Sequence, residues 1–241
     1  MMAKVRRRRT SVAISDMGAI IPMRHDRPMD MPLREGLAKR LQRETRALHG
    51  QAEASALMGA LIGGTIERGL YVALLRNLQA VYAALEAALG RHRSDPRLAF
   101  ATAQPLLRSA RIAQDLETLV ASDPPAQSAL VAATIDYAQQ LNGLAARDPL
   151  RLVAHAYVRY LGDLYGGQQL ARGLRQHFGL QGDAGTRFYE FGSPAEVQAL
   201  RQAFRAGLDA VQPNPAESDA IVDEARTAFR RHIELFEQLR R

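Results

Sequence analysis

Apolar positions recur at helical spacing along most of this 241-residue chain. Leu37, Leu41 and Leu48 fall on one side of a first segment, which predicts a helix over residues 33–48. Leu70, Leu74, Leu78, Val81 and Leu85 mark a second, and Leu130, Ile135, Ala138 and Leu141 a later one. Val197, Leu200, Phe204, Leu208 and Val211, then Val222, Ala225, Phe229, Ile233 and Phe236, repeat at intervals that build one apolar helix face. Residues 152–170 differ, being apolar nearly all round, and predict a helix through the middle of a bundle. The sequence has no strand-like alternation and no internal repeat. The punctuation agrees with helices. Asp95-Pro96, Asp148-Pro149 and Asn214-Pro215 each place a capping residue before a proline suited to the first helical position. Ser193-Pro194-Ala195-Glu196 and Asn214-Pro215-Ala216-Glu217 add a carboxylate where it meets unpaired backbone N–H groups. The pattern predicts an all-α, single-domain bundle of about seven or eight helices.

Residues 1–31 have no periodicity and are rich in Arg, Met, Pro and Asp, which predicts a disordered basic N-terminal extension before a helical domain over 32–241. The net charge is +7, but the first 32 residues carry four of those charges, so the body is nearly balanced. A basic stripe with interleaved aromatics is missing from the body, which argues against nucleic acid as a partner. With 47% apolar residues the chain can build a sizeable core, and no run of 18 uninterrupted apolar residues suggests a membrane span. There is no cysteine, so disulfides, thiolate metal sites and cysteine nucleophiles are excluded. The basic run Arg6 to Arg9 is not followed by an apolar stretch of the secretory kind, so the expected location is cytoplasmic and the expected state a monomer.

Four features bear on chemistry. His49 closes the first predicted helix among apolar neighbours, with Arg46 one turn back. An imidazole in such a pocket is a good axial ligand for iron, although a lone histidine is more often a surface or core residue. Gly162, Gly166 and Gly167 lie inside the most apolar helix, where each glycine costs about 1 kcal/mol relative to alanine. Gly162 and Gly166 are four apart and share a face without side chains, suited either to a flat ligand or to a tight helix crossing. Asp163 is a carboxylate inside that segment. It is either paired with Arg159 one turn earlier or placed to organise water over the glycine face. Arg201 and Arg205 sit one turn apart beside Phe204 and Leu208, which suits a ligand with an apolar body and carboxylate tails, or simply a solvated face.

The string Ala154-His155-Ala156-Tyr157-Val158-Arg159-Tyr160-Leu161-Gly162-Asp163-Leu164-Tyr165-Gly166-Gly167-Gln168 resembles the distal-helix signature of the biliverdin-producing haem oxygenases. Glu44-Thr45-Arg46-Ala47-Leu48-His49-Gly50-Gln51-Ala52-Glu53 resembles their proximal helix. Ala225 to Phe229, with Ile233-Glu234-Leu235-Phe236-Glu237, resembles their final helix. The resemblance runs over about residues 33–239. It implies a helical fold with haem sandwiched between a proximal and a distal helix. His49 is then the iron ligand, Gly162 and Gly166 the glycines against the haem face, and Asp163 the carboxylate that orders distal water. Arg46, Arg201 and Arg205 fall on positions that meet the haem propionates, and Tyr157 and Arg159 on the distal hydrogen-bond network. Glu53 and Phe229, inside the matched strings, join the haem-binding set. His155 is expected to pack rather than to ligate. Two positions depart from the family pattern, Gln42 where lysine is common and Tyr165 where serine is common, and both bear on which meso carbon is attacked.

The implied reaction consumes haem, O2 and electrons and yields biliverdin, CO and ferrous iron, with haem as substrate and cofactor at once. The chain carries no nucleotide or flavin fingerprint and no cysteine for an iron–sulfur cluster, so the electrons are expected from a ferredoxin or a flavoprotein reductase. The competing readings are a non-catalytic haem carrier or sensor, a thiaminase-like helical protein, and a helical interaction module without ligand. The carrier has no need of Asp163, and the thiaminase-like chemistry needs a cysteine.

Overall fold

In a computed structural model, residues 35–122 and 129–240 are described; the predicted extension over 1–31 and the boundary at 32 lie outside them. Among the described residues the secondary structure is helical throughout. The α-helices are α1 (Leu37–Glu53), α2 (Ala56–Ile62), α3 (Arg68–Gly90), α4 (Ser109–Ser122), α5 (Ala132–Arg147), α6 (Leu152–Ala156), α7 (Gly162–Phe178), α8 (Pro194–Ala210) and α9 (Pro215–Gln238). A single π-turn, Tyr157–Leu161, joins α6 to α7 without a break, so these segments form one rod and the described residues make eight helical rods, within the expected seven or eight.

The ends show which local signals held. Ser193 and Asn214 each form a full capping box, with Glu196 and Glu217 as the reciprocal partners. Asp148-Pro149 opens a 3-10 turn that leads into α6. Asp95-Pro96 opens no α-helix; the chain there makes turns and a 3-10 segment, Ala99–Thr102. The first helix is displaced from the prediction. It ends at Glu53, so His49 lies inside it and not at its end. Its start is capped from a distance: the Ala38 N–H donates to Asp209 Oδ1 on α8 at 2.9 Å. A Cβ on Gly36 would meet that oxygen at 2.5 Å, which is why the capping position is glycine. The short α2, started by Ser55, carried too few residues to show as a period.

Helices α1 and α9 pack along each other, α3 packs against α4 and α5, and α6 runs between α3 and α9. All five residues of α6 are buried, as expected of a segment apolar on every side. In α5 the predicted face holds at Leu141 and fails at Leu130 and Ile135. Leu130, which precedes the helix, and Ile135 are exposed, whereas Ala133, Thr134, Tyr137, Leu141 and Leu144 are buried. That buried face carries polar atoms, each hydrogen-bonded, which an apolar pattern does not reveal. Thr134 Oγ1 donates to Asn77 Oδ1 at 2.7 Å, and the Tyr137 hydroxyl lies 2.9 Å from His155 Nδ1. Helix α3 is long and apolar enough to cross a membrane by length and composition, with a mean hydropathy of 1.2. Yet 61% of that window is buried inside the bundle, the setting of a core helix.

The π-turn sets the geometry that follows. It takes up an extra residue, which turns the following helix by roughly one residue step, about 100°, relative to α6. Beyond it Asp163, Leu164, Gly167, Ala171 and Leu174 face the core while Gly162 and Tyr165 face outward.

Candidate active site

Helix α1 presents the first half of the site. Leu41 and Thr45 are buried, whereas Gln42, Arg46 and His49 are exposed. The His49 side chain is 54% exposed, its Nδ1 lies 3.5 Å from Glu53 Oε2 one turn on, and its ring meets Phe229 of α9 edge-on at 5.9 Å. Phe229 itself is buried. The rings of His92, His155, His177 and His232 are each hydrogen-bonded to the protein. His49 differs from these four in making no hydrogen bond to the protein among the described residues, its polar contact being the Glu53 approach at 3.5 Å.

Helix α7 presents the second half. A Cβ placed on Gly162 or on Gly166 would meet nothing within 4 Å, so both backbones border open space. Gly167 is the opposite case, with Tyr189 Cδ1 3.3 Å from its virtual Cβ. The three glycines therefore divide, the first two leaving a bare surface and the third admitting a neighbouring aromatic ring. The two halves are tied together where the Thr45 and Tyr157 hydroxyls approach to 3.4 Å across α1 and the π-turn. Tyr157 thus bonds toward α1, and burial raises its pKa against the opposing effects of Thr45 and the Arg205 charge.

Of the two alternatives that its sequence position left open, Asp163 shows the pairing with Arg159. It is buried, and Arg159 Nη2 donates to its Oδ1 at 3.2 Å. The Tyr82 hydroxyl donates to Oδ2, while Arg159 Nε donates to the Tyr82 oxygen at 3.0 Å. The three side chains close a ring of charge-assisted bonds beneath the glycine surface. Burial raises the pKa of Asp163, against the pull of Arg159, the Tyr82 bond and the more distant Arg108. Burial also raises that of Tyr82 far above its ordinary value. Tyr82 was missed in the sequence because α3 was traced through its aliphatic residues alone. Its place four residues after Leu78, on the same buried face, is the signal that would have found it.

The arginines separate. Arg201 donates from Nε and Nη2 to the Leu164 carbonyl at 3.0 and 2.5 Å, and its guanidinium lies 4.6 Å over the ring of Tyr165. Arg205 is half-buried and Arg46 exposed, and neither has an ion pair or hydrogen bond among the described residues. His155 is fully buried with Tyr137 on Nδ1 and Glu224 on Nε2, the latter at 3.0 Å, which makes it a packing and hydrogen-bonding residue. Glu224 also receives Arg151 at 2.6 Å and Gln140 at 2.6 Å, binding α5, α6 and α9 together.

Comparison with known proteins gives this arrangement a family. Residues 35–238 match the family model described as Heme oxygenase. The chain is 32% identical over 203 residues to "Heme oxygenase 1" of Nostoc sp., covering 84% of this chain and 85% of that one. Its fold is similar to that of heme oxygenase-2 from Synechocystis sp., solved with heme and NO. The TM-score there is 0.80 at 33% identity, over 85% of each chain. Heme oxygenase-1 from Synechocystis sp., solved with heme, gives a TM-score of 0.77 at 32% identity, over 85% of this chain and 92% of that one. With the match spanning nearly all the described helices and the motif-bearing segments of α1, α7 and α9, the chain belongs to the haem oxygenase family and is an enzyme of haem degradation.

Proposed function

We propose that the protein opens the haem ring with O2 and external electrons, giving biliverdin, CO and ferrous iron. The observation that carries this reading is the pairing of His49, whose ring is free on one side, with the bare Gly162 and Gly166 backbone. One tyrosine–threonine contact holds the helices that bear them together. A flat macrocycle fits such a slot, since side chains at either glycine would occupy its place. Bound haem supplies the iron that activates O2 and the ring that is opened.

The residues divide the remaining work. Glu53 faces Nδ1 of His49, so a proton held there toward the carboxylate leaves Nε2 as the ligating nitrogen. Phe229 fixes the ring plane by its edge contact. Gly162 and Gly166 let the backbone of α7 approach the opposite face. Arg205 and Arg46, which lack anionic partners among the described residues, are suited to the propionates, and Arg201 joins them through Nη1 while Nε and Nη2 keep their hold on the Leu164 carbonyl. Asp163 holds water and a proton at its carboxyl beside the open surface. Tyr82 and Arg159 aim it and keep it from turning away, and Tyr157 secures the wall between α1 and α7. The electrons come from a partner such as a ferredoxin or a flavoprotein reductase.

The test is to load the purified chain with hemin, supply ascorbate or a reductase in air, and separate the products by chromatography. Formation of a bilin with release of CO is expected. A hemin complex that survives reduction in air intact would leave only a haem carrier.

A further inference from the structure

On α7 the glycine surface has two unlike borders. With about 100° per residue, Asp163 lies roughly 60° to one side of Gly166 and Tyr165 roughly 60° to the other side of Gly162. Asp163 is the buried border and Tyr165 the solvent border, its large aromatic side chain 56% exposed. An exposed tyrosine ordinarily samples several rotamers, but this one is held. The Arg201 guanidinium of α8 lies over its ring at 4.6 Å and is itself anchored by two bonds to the Leu164 carbonyl, the residue immediately before the tyrosine. Arg205 follows Arg201 one turn further along α8. The positive charge and the ring therefore form one edge of the slot.

The geometry points to Tyr165, held by Arg201, as the residue that sets the in-plane rotation of the macrocycle; the inference rests on the haem reading above. A flat, four-fold-like ring lying on two glycines meets no side chain there that distinguishes one rotation from another. Its carboxylate side is drawn to the arginine border, and the bulk of Tyr165 at that border decides which pyrrole edge can lie beside it. The rotation in turn decides which meso carbon lies over the Asp163 side, so Tyr165 acts as a specificity-determining residue and not as a participant in the chemistry.

Hemin with cyanide, bound to the full chain, provides the measurement, since the shifted haem methyl resonances in the proton NMR spectrum report the populations of in-plane orientations directly. Wild type and Tyr165→Phe are expected to show one dominant set. Tyr165→Ser is expected to raise the minor set by roughly threefold or more, the factor given by loss of one stacking contact, with a parallel change in bilin isomers. Tyr165→Ala, which favours the helix, repeats the test should the serine variant lose stability. An unchanged methyl pattern in both variants, or an even mixture already in wild type, overturns the inference while leaving the haem reading intact. Failure of wild type to give a His49-dependent hemin spectrum removes both.

Discussion

Tyr82 on α3 donates its hydroxyl proton to the carboxylate of Asp163 on α7, 81 residues further along the chain. The bond crosses between helices that approach only in the folded bundle. It occupies one carboxylate oxygen while Arg159 occupies the other, so Asp163 has a defined orientation before any ligand arrives. That makes the pair separable by mutation.

Tyr82→Phe removes the donor and keeps the ring. Leaving a buried carboxylate one bond short costs about 1–3 kcal/mol of stability. Hemin affinity is expected to hold, whereas bilin formation slows by roughly tenfold or more, because the proton-holding group is no longer aimed. Asp163→Ala goes further, to a loss of about 100-fold or more, with hemin still bound. Asp163→Asn packs better yet remains impaired. Single-turnover bilin yield, read beside a hemin titration, checks all three; full yield at the wild-type rate from Asp163→Ala would remove the role assigned to the carboxylate.

The glycines give a test in which stability and binding move in opposite directions. Gly166→Ala adds a methyl group into open space, so the ligand-free protein is expected to gain up to about 1 kcal/mol from helix propensity. Hemin affinity falls by about tenfold or more, since that methyl group lies where the macrocycle packs. Gly167→Ala places its methyl group 3.3 Å from Tyr189 Cδ1 and lowers stability instead. Urea denaturation without hemin and hemin titration with it separate the cases, and a Gly166→Ala variant with unaltered affinity would show that the macrocycle lies elsewhere.

His49 and His155 are predicted to fail in different ways. His49→Ala abolishes the histidine-ligated hemin spectrum and turnover while leaving the melting temperature of the ligand-free chain nearly unchanged, because the side chain is half exposed. His155→Ala keeps the spectrum but costs about 1–3 kcal/mol, since it removes buried hydrogen bonds to Tyr137 and Glu224 while Arg151 and Gln140 remain on the carboxylate. Absorption spectra and thermal melts of the two variants are sufficient. The reverse assignment of spectrum and stability would transfer the ligand role to His155.

Arg205→Glu replaces a cation that has no protein partner among the described residues, so its effect falls on the ligand. Hemin affinity is expected to drop by roughly tenfold, the worth of a charge-assisted contact, and the difference from wild type to shrink as salt is raised. Equal affinities at low and high salt would show that the side chain faces only water.

His232 predicts a pH dependence of stability. It is buried on α9, with Nδ1 donating to the Ala228 carbonyl and Nε2 without a hydrogen-bond partner. Burial, with the nearby Arg159 charge and a smaller contribution from His155, holds its pKa well below the ordinary 6.5, only the Ala228 bond opposing. The unfolded chain therefore takes up a proton near pH 6.5 that the native chain refuses. The stabilising contribution is fully present above that pH and declines as the solution is acidified, by at most about 1.4 kcal/mol per pH unit. His232→Phe fills the same space and cannot titrate. Denaturation at about pH 7.5 and pH 5.5 is expected to show wild type losing ground to the variant on acidification; parallel losses in the two proteins would mean that the ring titrates normally.

The sequence by itself determined the elements that depend on local physics. The apolar stripes of α3, α8 and α9 and the Ser193 and Asn214 capping boxes use interactions within a few residues, and they stand where the pattern puts them. The apolarity of residues 152–156, broken only by His155, likewise required burial on every side. Elements without that local support were misplaced. The polar side chains on the inner face of α5 are satisfied by partners on α3 and α6, so the apolar pattern found Leu141 but passed over Thr134 and Tyr137 for the exposed Ile135. His49, Gly162, Gly166 and Asp163 were legible as residue types, but not their arrangement. Tertiary structure decided that: the π-turn rotates α7, placing Asp163 toward Tyr82 and both glycines toward open space, and packing of α8 against α7 lays Arg201 over Tyr165. The physical reason is range. A helix registers its own period along the chain, whereas the phase of one helix against another depends on which side chains meet across the bundle, and those meetings join residues tens to hundreds of positions apart.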